Sequence, residues 1–133
     1  MFSKLIQVLY RRSALSFGLW ALIIFVLCAT PGQYIPSNNW LDLLSVDKLV
    51  HASIFCLLTL FGLFWLHKKQ YSTLQLVLCL FVCILYGMLL ELMQATVFTN
   101  RSADWKDVIA NSLGCLLAPV VLKQLIKKKI IFR

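Results

Sequence analysis

The sequence predicts an all-α integral membrane protein: a four-helix bundle forming one domain over residues 1–133, with both termini cytoplasmic. Three observations predict it. Hydrophobic residues make up 61% of the chain, and its mean hydropathy is +0.85, a composition that leaves little material outside a bilayer. Four apolar segments follow one another, each near the roughly 17–25 residues that cross about 30 Å of hydrocarbon as a helix. Finally, the charges divide by sign across those segments. All five acidic residues (Asp42, Asp47, Glu91, Asp104 and Asp107) fall on one side, and most basic residues on the other.

The first segment, Ser13–Thr30, carries no charge. Its basic start also suits a secretory signal, but the small-residue cleavage pattern is poor around Cys28, where Leu27 is too bulky. It is read as an uncleaved span. Leu49–Leu66 is the second segment, again free of charge, and Thr73–Met93 is the third, interrupted only by Glu91. The fourth, Trp105–Leu122, has a shorter apolar core beginning near Val108. Pro119 sits close to its end, where one lost backbone hydrogen bond is tolerable. No period-2 alternation suggests a barrel.

Orientation follows from the basic residues near the segment ends. Lys4, Arg11, Arg12, Lys68, Lys69, Lys123, Lys127, Lys128, Lys129 and Arg133 lie on one side, against Lys48, Arg101 and Lys106 on the other. The first group marks the cytoplasmic side, so two loops, near 31–47 and 94–104, face outward. The net charge of +8 is accounted for by this bias and by attraction to anionic membrane lipid; nucleic-acid binding is not needed. Trp40, Trp105 and Tyr34 fit an outer aromatic belt, and Trp65, Tyr71 and Tyr10 an inner one.

Cys28, Cys56, Cys79, Cys83 and Cys115 all lie inside the predicted spans, with no CxxC pair. They read as small apolar core residues. His67, beside Lys68 and Lys69, reads as part of a solvated basic loop.

The outward helix ends carry the chemistry. Asp47 and His51 are four apart and share one helix face. Glu91 and Gln94 are three apart, with Gly87 one turn below Glu91. Asp104, Asp107 and Asn111 stack at spacings of three and four, continued by Gly114, and Arg101 feeds that helix. Topology alone brings these groups to one depth. Glu91 is the most telling, since a buried acid in a span costs about 2.5–3.5 kcal/mol at mid-membrane and less toward an interface. It is expected to turn inward to Arg101, His51 or Lys48. A structural network joining three helices is the competing reading, as is simple exposure at a helix end. For His51, a structural bond to Asp47 and a role as general base stand side by side. For Asn111 and Gly114, close helix packing leads.

The runs Asp47-Lys48-Leu49-Val50-His51, Glu91-Leu92-Met93-Gln94 and Arg101-Ser102-Ala103-Asp104-Trp105-Lys106-Asp107, followed by Asn111 and Gly114, resemble the VanZ-like family. Its members carry a DK-x-x-H start, an E-x-x-Q helix end and an R-x-x-D-x-x-D-x-x-x-N-x-x-G stretch. The likeness covers roughly Val46 to Ala118; Asn100 stands where the family often has glycine, and a second glycine is replaced around Ala118. The resemblance implies a small multi-span protein of a bacterial inner membrane acting at its outward face. The founding member is linked to resistance toward the glycopeptide teicoplanin.

Three functions compete at this stage. In the first, the cluster of Asp47, Lys48, His51, Glu91, Gln94, Arg101, Asp104, Asp107 and Asn111 recognises a polar cell-envelope ligand, such as a lipid-linked cell-wall precursor or a glycopeptide. Its mixed charges suit a zwitterionic or phosphorylated head group. In the second, His51 with Asp47, or Glu91, serves as acid/base in a membrane hydrolase or transferase. In the third, the cluster only stabilises the bundle of an accessory subunit. A metal shared by His51 and carboxylates is conceivable, but no HExxH or G-x-S-x-G motif is present, so no metal or cofactor is assigned, and a pore has little room in one short chain.

Overall fold

A computed structural model describes residues 2–30, 46–98 and 103–131. Those residues form five α-helices and no strand: α1 (Phe2–Arg11), α2 (Ser13–Ala29), α3 (Val46–His67), α4 (Thr73–Thr96) and α5 (Trp105–Lys127). Three of them, α3, α4 and α5, are each long and apolar enough to cross a membrane, and α1 with α2 passes the same test as a pair bent by 96°. The outer surfaces of α4 and α5 are rows of exposed large side chains, among them Leu78, Phe81, Val82, Leu85, Leu113 and Leu117. Water would not tolerate so broad an apolar surface, whereas lipid suits it.

The helix ends are set by local chemistry. Ser72 caps α4 in a reciprocal capping box: its hydroxyl accepts from the Gln75 N–H at 3.4 Å, and Gln75 Oε1 accepts from the Ser72 N–H at 2.9 Å. Two orphan donors are thereby satisfied. Asp104 caps α5, its Oδ1 accepting from the Lys106 N–H at 2.9 Å. The α3–α4 turn closes through Gln70 at a left-handed φ of 54°. Pro119 does not end α5, which runs on to Lys127.

The helix α1 was not foreseen. Lys4, Arg11 and Arg12 read only as orientation markers, yet the apolar residues among them repeat at helical spacing. Ile6, Leu9 and Tyr10 of this helix pack on Leu60, Phe61, Phe64, Ala118 and Leu122, so α1 closes one end of the bundle. A second cluster nearer the other end gathers Ile24, Cys28, Phe55, Leu58, Cys83, Leu90 and Cys115. All five cysteines are free thiols.

Helices α3 and α5 make the most extensive contact, and glycine permits it. A Cβ on Gly114 would overlap the Ala52 carbonyl oxygen and stand 2.8 Å from its carbon and 2.9 Å from Cα. Gly87 plays a milder version on α4, where a Cβ would meet Phe55 at 3.0 Å and the Asn111 Cβ at 3.3 Å. Helix α2 is tied on by side chains that reach backbone carbonyls. Trp20 Nε1 donates to the Ile54 oxygen at 2.9 Å, and the Tyr86 hydroxyl donates to that of Ala21 at 2.7 Å.

Candidate functional site

The first turns of α3 and α5 and the last of α4 meet at one end of the molecule. They bring most of the expected polar residues together. Lys48 is the hub. Its ammonium donates to Asp47 Oδ2 at 3.1 Å, to Asp104 Oδ2 at 2.9 Å, and to Asp107 Oδ1 in the closest of the three contacts. Asp47 comes from its own helix, whereas Asp104 and Asp107 come from α5. One cation thus clamps the starts of two helices.

His51, one turn further along α3, faces the same carboxylates. Its Nε2 lies 3.7 Å from Asp47 Oδ1 and 3.7 Å from Asp107 Oδ2. On its other side, Nδ1 is 3.1 Å from Asn111 Oδ1. The amide oxygen of Asn111 is an acceptor, so this contact is a hydrogen bond in the tautomer protonated at Nδ1. Nε2 is then the nitrogen presented to Asp47, Asp107 and any ligand. Asn111 is held between two close helix approaches, at Gly87 below and Gly114 one turn on. Its packing role and its contact with His51 are therefore one arrangement.

The inner part of the cluster is shielded, with Glu91 4% exposed, Gln94 4%, Asp107 9% and Asn111 2%, whereas Asp47, Lys48 and Asp104 remain accessible. Glu91 turns inward as expected, and its Oε2 accepts from the Asp104 backbone N–H at 3.4 Å. Lys48, expected as a partner for Glu91, bonds the three aspartates instead. Gln94 points to α2, donating from Nε2 to the Cys28 carbonyl at 3.4 Å. Arg101 lies outside the described residues. The carboxyl of Asp104 is held below the ordinary aspartate range, first by the Lys48 ammonium and then by the Lys106 N–H.

Charge and donor geometry limit the chemistry. Among the described residues of this end, three carboxylates (Asp47, Asp104 and Asp107) bond the Lys48 ammonium and Glu91 bonds the Asp104 N–H, so carboxyl groups outnumber ammonium groups there. Asp47, His51 and Asp107 each place a donor atom within 4.8 Å of the others, a set with the composition of a divalent-cation site. The sequence reading assigned no metal. Lys48 already bonds two of those carboxylates through their other oxygens, so a cation bound there would share both groups with an ammonium.

A family model described as VanZ/LLP1 matches residues 6–127. The chain belongs to the VanZ/LLP1 family. The match takes in α2 to α5 whole and α1 from Ile6 onward. It also covers each of the three motifs that resembled the VanZ-like pattern, so the Lys48 hub and the His51–Asn111 pair are built from the VanZ-like residues themselves. Comparison with curated proteins and with solved structures gave no match.

At the opposite end of α3, His67 differs from its expected role as a solvated loop residue. It is the last residue of the helix, and its Nδ1 lies 3.0 Å from the Tyr10 hydroxyl of α1. The two are 57 positions apart, and only the bend before α2 brings them together. Nothing in the local sequence marks that pairing.

Proposed function

We propose that this VanZ-like protein is a four-helix bundle of a bacterial inner membrane, with both termini cytoplasmic, whose outward-facing polar cluster recognises the head group of a cell-envelope ligand. The bent α1–α2 pair supplies the first span in this reading. The basic residues at the α1, α3–α4 and C-terminal segments supply its cytoplasmic side. The Lys48 hub carries the functional reading. A lysine shared by three carboxylates, with His51 Nε2 facing two of them, offers donors and acceptors that exchange readily for those of a ligand. The surplus of carboxylates favours an amine-bearing or zwitterionic head group over a purely anionic one. A lipid-linked cell-wall precursor fits that description, and sequestering one, or a glycopeptide, is a route to teicoplanin resistance.

Catalysis is the second reading, with His51 as general base and Asp47 or Glu91 in support. The observation that favours it is the His51–Asn111 contact, which orients Nε2 toward the carboxylates. Against it, the two carboxylates that face Nε2, Asp47 and Asp107, are already bonded to Lys48. A purely structural network in an accessory subunit is the third reading.

The test is titration of detergent-purified protein with a lipid-linked cell-wall precursor and, separately, with teicoplanin. Saturable binding of at least one is expected, weakened about tenfold or more by Lys48→Met and by Arg101→Ala. Binding unaltered in both variants overturns the proposal. Turnover of the precursor that stops in His51→Gln supports the catalytic reading instead.

A further inference from the structure

The end of the molecule opposite the polar cluster holds two adjoining features that the proposed function does not use. One is an apolar groove of about 290 Å³ on the outer surface, walled by Phe17 of α2, Trp65 and Leu66 of α3, and Leu78 and Val82 of α4, with Gly62 as its floor. A side chain on Gly62 would fill it, since a Cβ there would lie 2.9 Å from the Cys79 sulfur and 3.3 Å from the Phe17 ring. From Gln75 to Val82 the groove follows α4 for about 10 Å along the helix axis. The other is a polar hollow of about 600 Å³ around the α3–α4 turn, lined by Tyr10, His67, Lys68, Gln70, Tyr71 and Ile126.

The two are joined by α3. Gly62, Trp65 and Leu66 form one helical stripe, and Lys69 continues it one turn later. The Lys69 ammonium sits over the Trp65 ring, 4.4 Å from its centre, so a cation rests on one of the groove's walls. Lys68 turns to the hollow, donating to the Arg11 carbonyl at 3.0 Å and lying 6.0 Å above the Tyr10 ring. It thereby draws a second cationic segment, Arg11–Arg12, to the same place. Every acid among the described residues is in the cluster at the far end, so these cations face no carboxylate here. Like charges held together without a counter-charge are relieved by an anion. An apolar channel beneath such a patch calls for an anion that carries a hydrocarbon tail.

We infer that this end of the molecule is a binding site for one anionic phospholipid, with an acyl chain in the Phe17–Trp65–Leu78 groove and the phosphate at Lys68 and Lys69. The groove excludes a soluble anion as the natural occupant, because it would leave the apolar walls unfilled. The lysines distinguish the site from ordinary boundary lipid, which contacts the remaining apolar surface without regard to head group. Lys68 then has two roles, closing the α1 carbonyl end and presenting charge to the head group.

The test uses the full chain in nanodiscs of equimolar phosphatidylglycerol and phosphatidylcholine, released into the gas phase for native mass spectrometry. One phosphatidylglycerol is expected to stay with the wild-type protein in preference to phosphatidylcholine. Retention should fall about tenfold in a Lys68→Gln, Lys69→Gln double variant. It should also fall in Leu78→Trp, which fills the groove from an exposed position while leaving both lysines. Circular dichroism of each variant in phosphatidylcholine alone shows whether the helices persist. Equal retention of both lipids, or a preference unchanged in both variants, overturns the inference. A melting temperature raised as much by inorganic phosphate as by phosphatidylglycerol also overturns it, since that describes an anion patch without a chain site.

Discussion

Gly114 of α5 lies directly against the Ala52 carbonyl of α3, so closely that no other residue fits between the two backbones. Backbone cannot yield as a flexible side chain can. The Gly114→Ala variant is therefore expected to lose about 2 kcal/mol or more of stability through helix separation, with a matching drop in melting temperature in detergent. Gly18 is the contrast, because nothing lies within 4 Å of where its Cβ would be. Gly18→Ala should be neutral or stabilising by about 0.5–1 kcal/mol through helix propensity. Thermal melts of the two variants beside the wild type decide the matter.

The Lys48 ammonium competes with a cation for Asp47 and Asp107, two of the three donors that also include His51. The Lys48→Met variant keeps much of the side-chain volume but removes the ammonium, leaving those donors within 4.8 Å of one another. Zinc is expected to raise the melting temperature of Lys48→Met while leaving the wild type unmoved, since binding to the folded state stabilises by about 2.7 kcal/mol at a hundredfold excess over Kd. Thermal shift with and without chelator measures it. A wild-type protein that responds to zinc as strongly as the variant would show that the ammonium does not block the site.

Acid should loosen the junction of α3 and α5. The Asp104 carboxyl is held below its ordinary range by Lys48 and the Lys106 N–H. A carboxyl with a lowered folded-state value contributes stability above the unfolded value of about 4, and loses that contribution as pH falls through the folded value. Melting temperature should therefore be flat with respect to this group at neutral pH and decline below about pH 4. Asp104→Asn retains a capping oxygen but lacks the charge, so its decline should be shallower. Melts across an acid series of buffers check this.

The bonds that hold α2 reach carbonyls already used within helices. Removing the Tyr86 hydroxyl, which donates to Ala21 at 2.7 Å, should cost about 0.6–1.7 kcal/mol, the range for hydrogen bonds between helices in lipid. Tyr86→Phe keeps the ring against Phe55, so the loss isolates the hydroxyl. Reversible unfolding in mixed micelles measures the difference.

Much of this was legible in the chain. The long apolar segments placed α3, α4 and α5 to within about five residues at each end, because hydrocarbon demands a predominantly apolar helix. Spacing alone placed Asp47 with His51, and Asp107 with Asn111, each pair on one helix face. The partners were harder to read. Lys48 reaches Asp107 across 59 positions, and whether a lysine turns to α4 or α5 depends on how closely the backbones approach. That approach is set by Gly114, which reads as a close-packing residue, and by Ala52, which carries no local signature. Glu91 meets a backbone N–H, which every residue but proline offers. Helix α1 was hidden by its charges, although Ile6, Leu9 and Tyr10 repeat as an amphipathic helix should. The Ser72-x-x-Gln75 capping box was readable and marks the α4 start.

The central claim is that the Lys48–His51–Glu91 cluster recognises a ligand and does not merely hold helices together. The most direct measurement compares melting temperature with affinity for the lipid-linked precursor in Glu91→Gln and His51→Gln. Both substitutions keep near-native shape and hydrogen-bonding capacity. The prediction is a folded protein whose melting temperature changes little while affinity falls about tenfold or more. Melting temperature and affinity falling in step, or affinity intact in both variants, would contradict it.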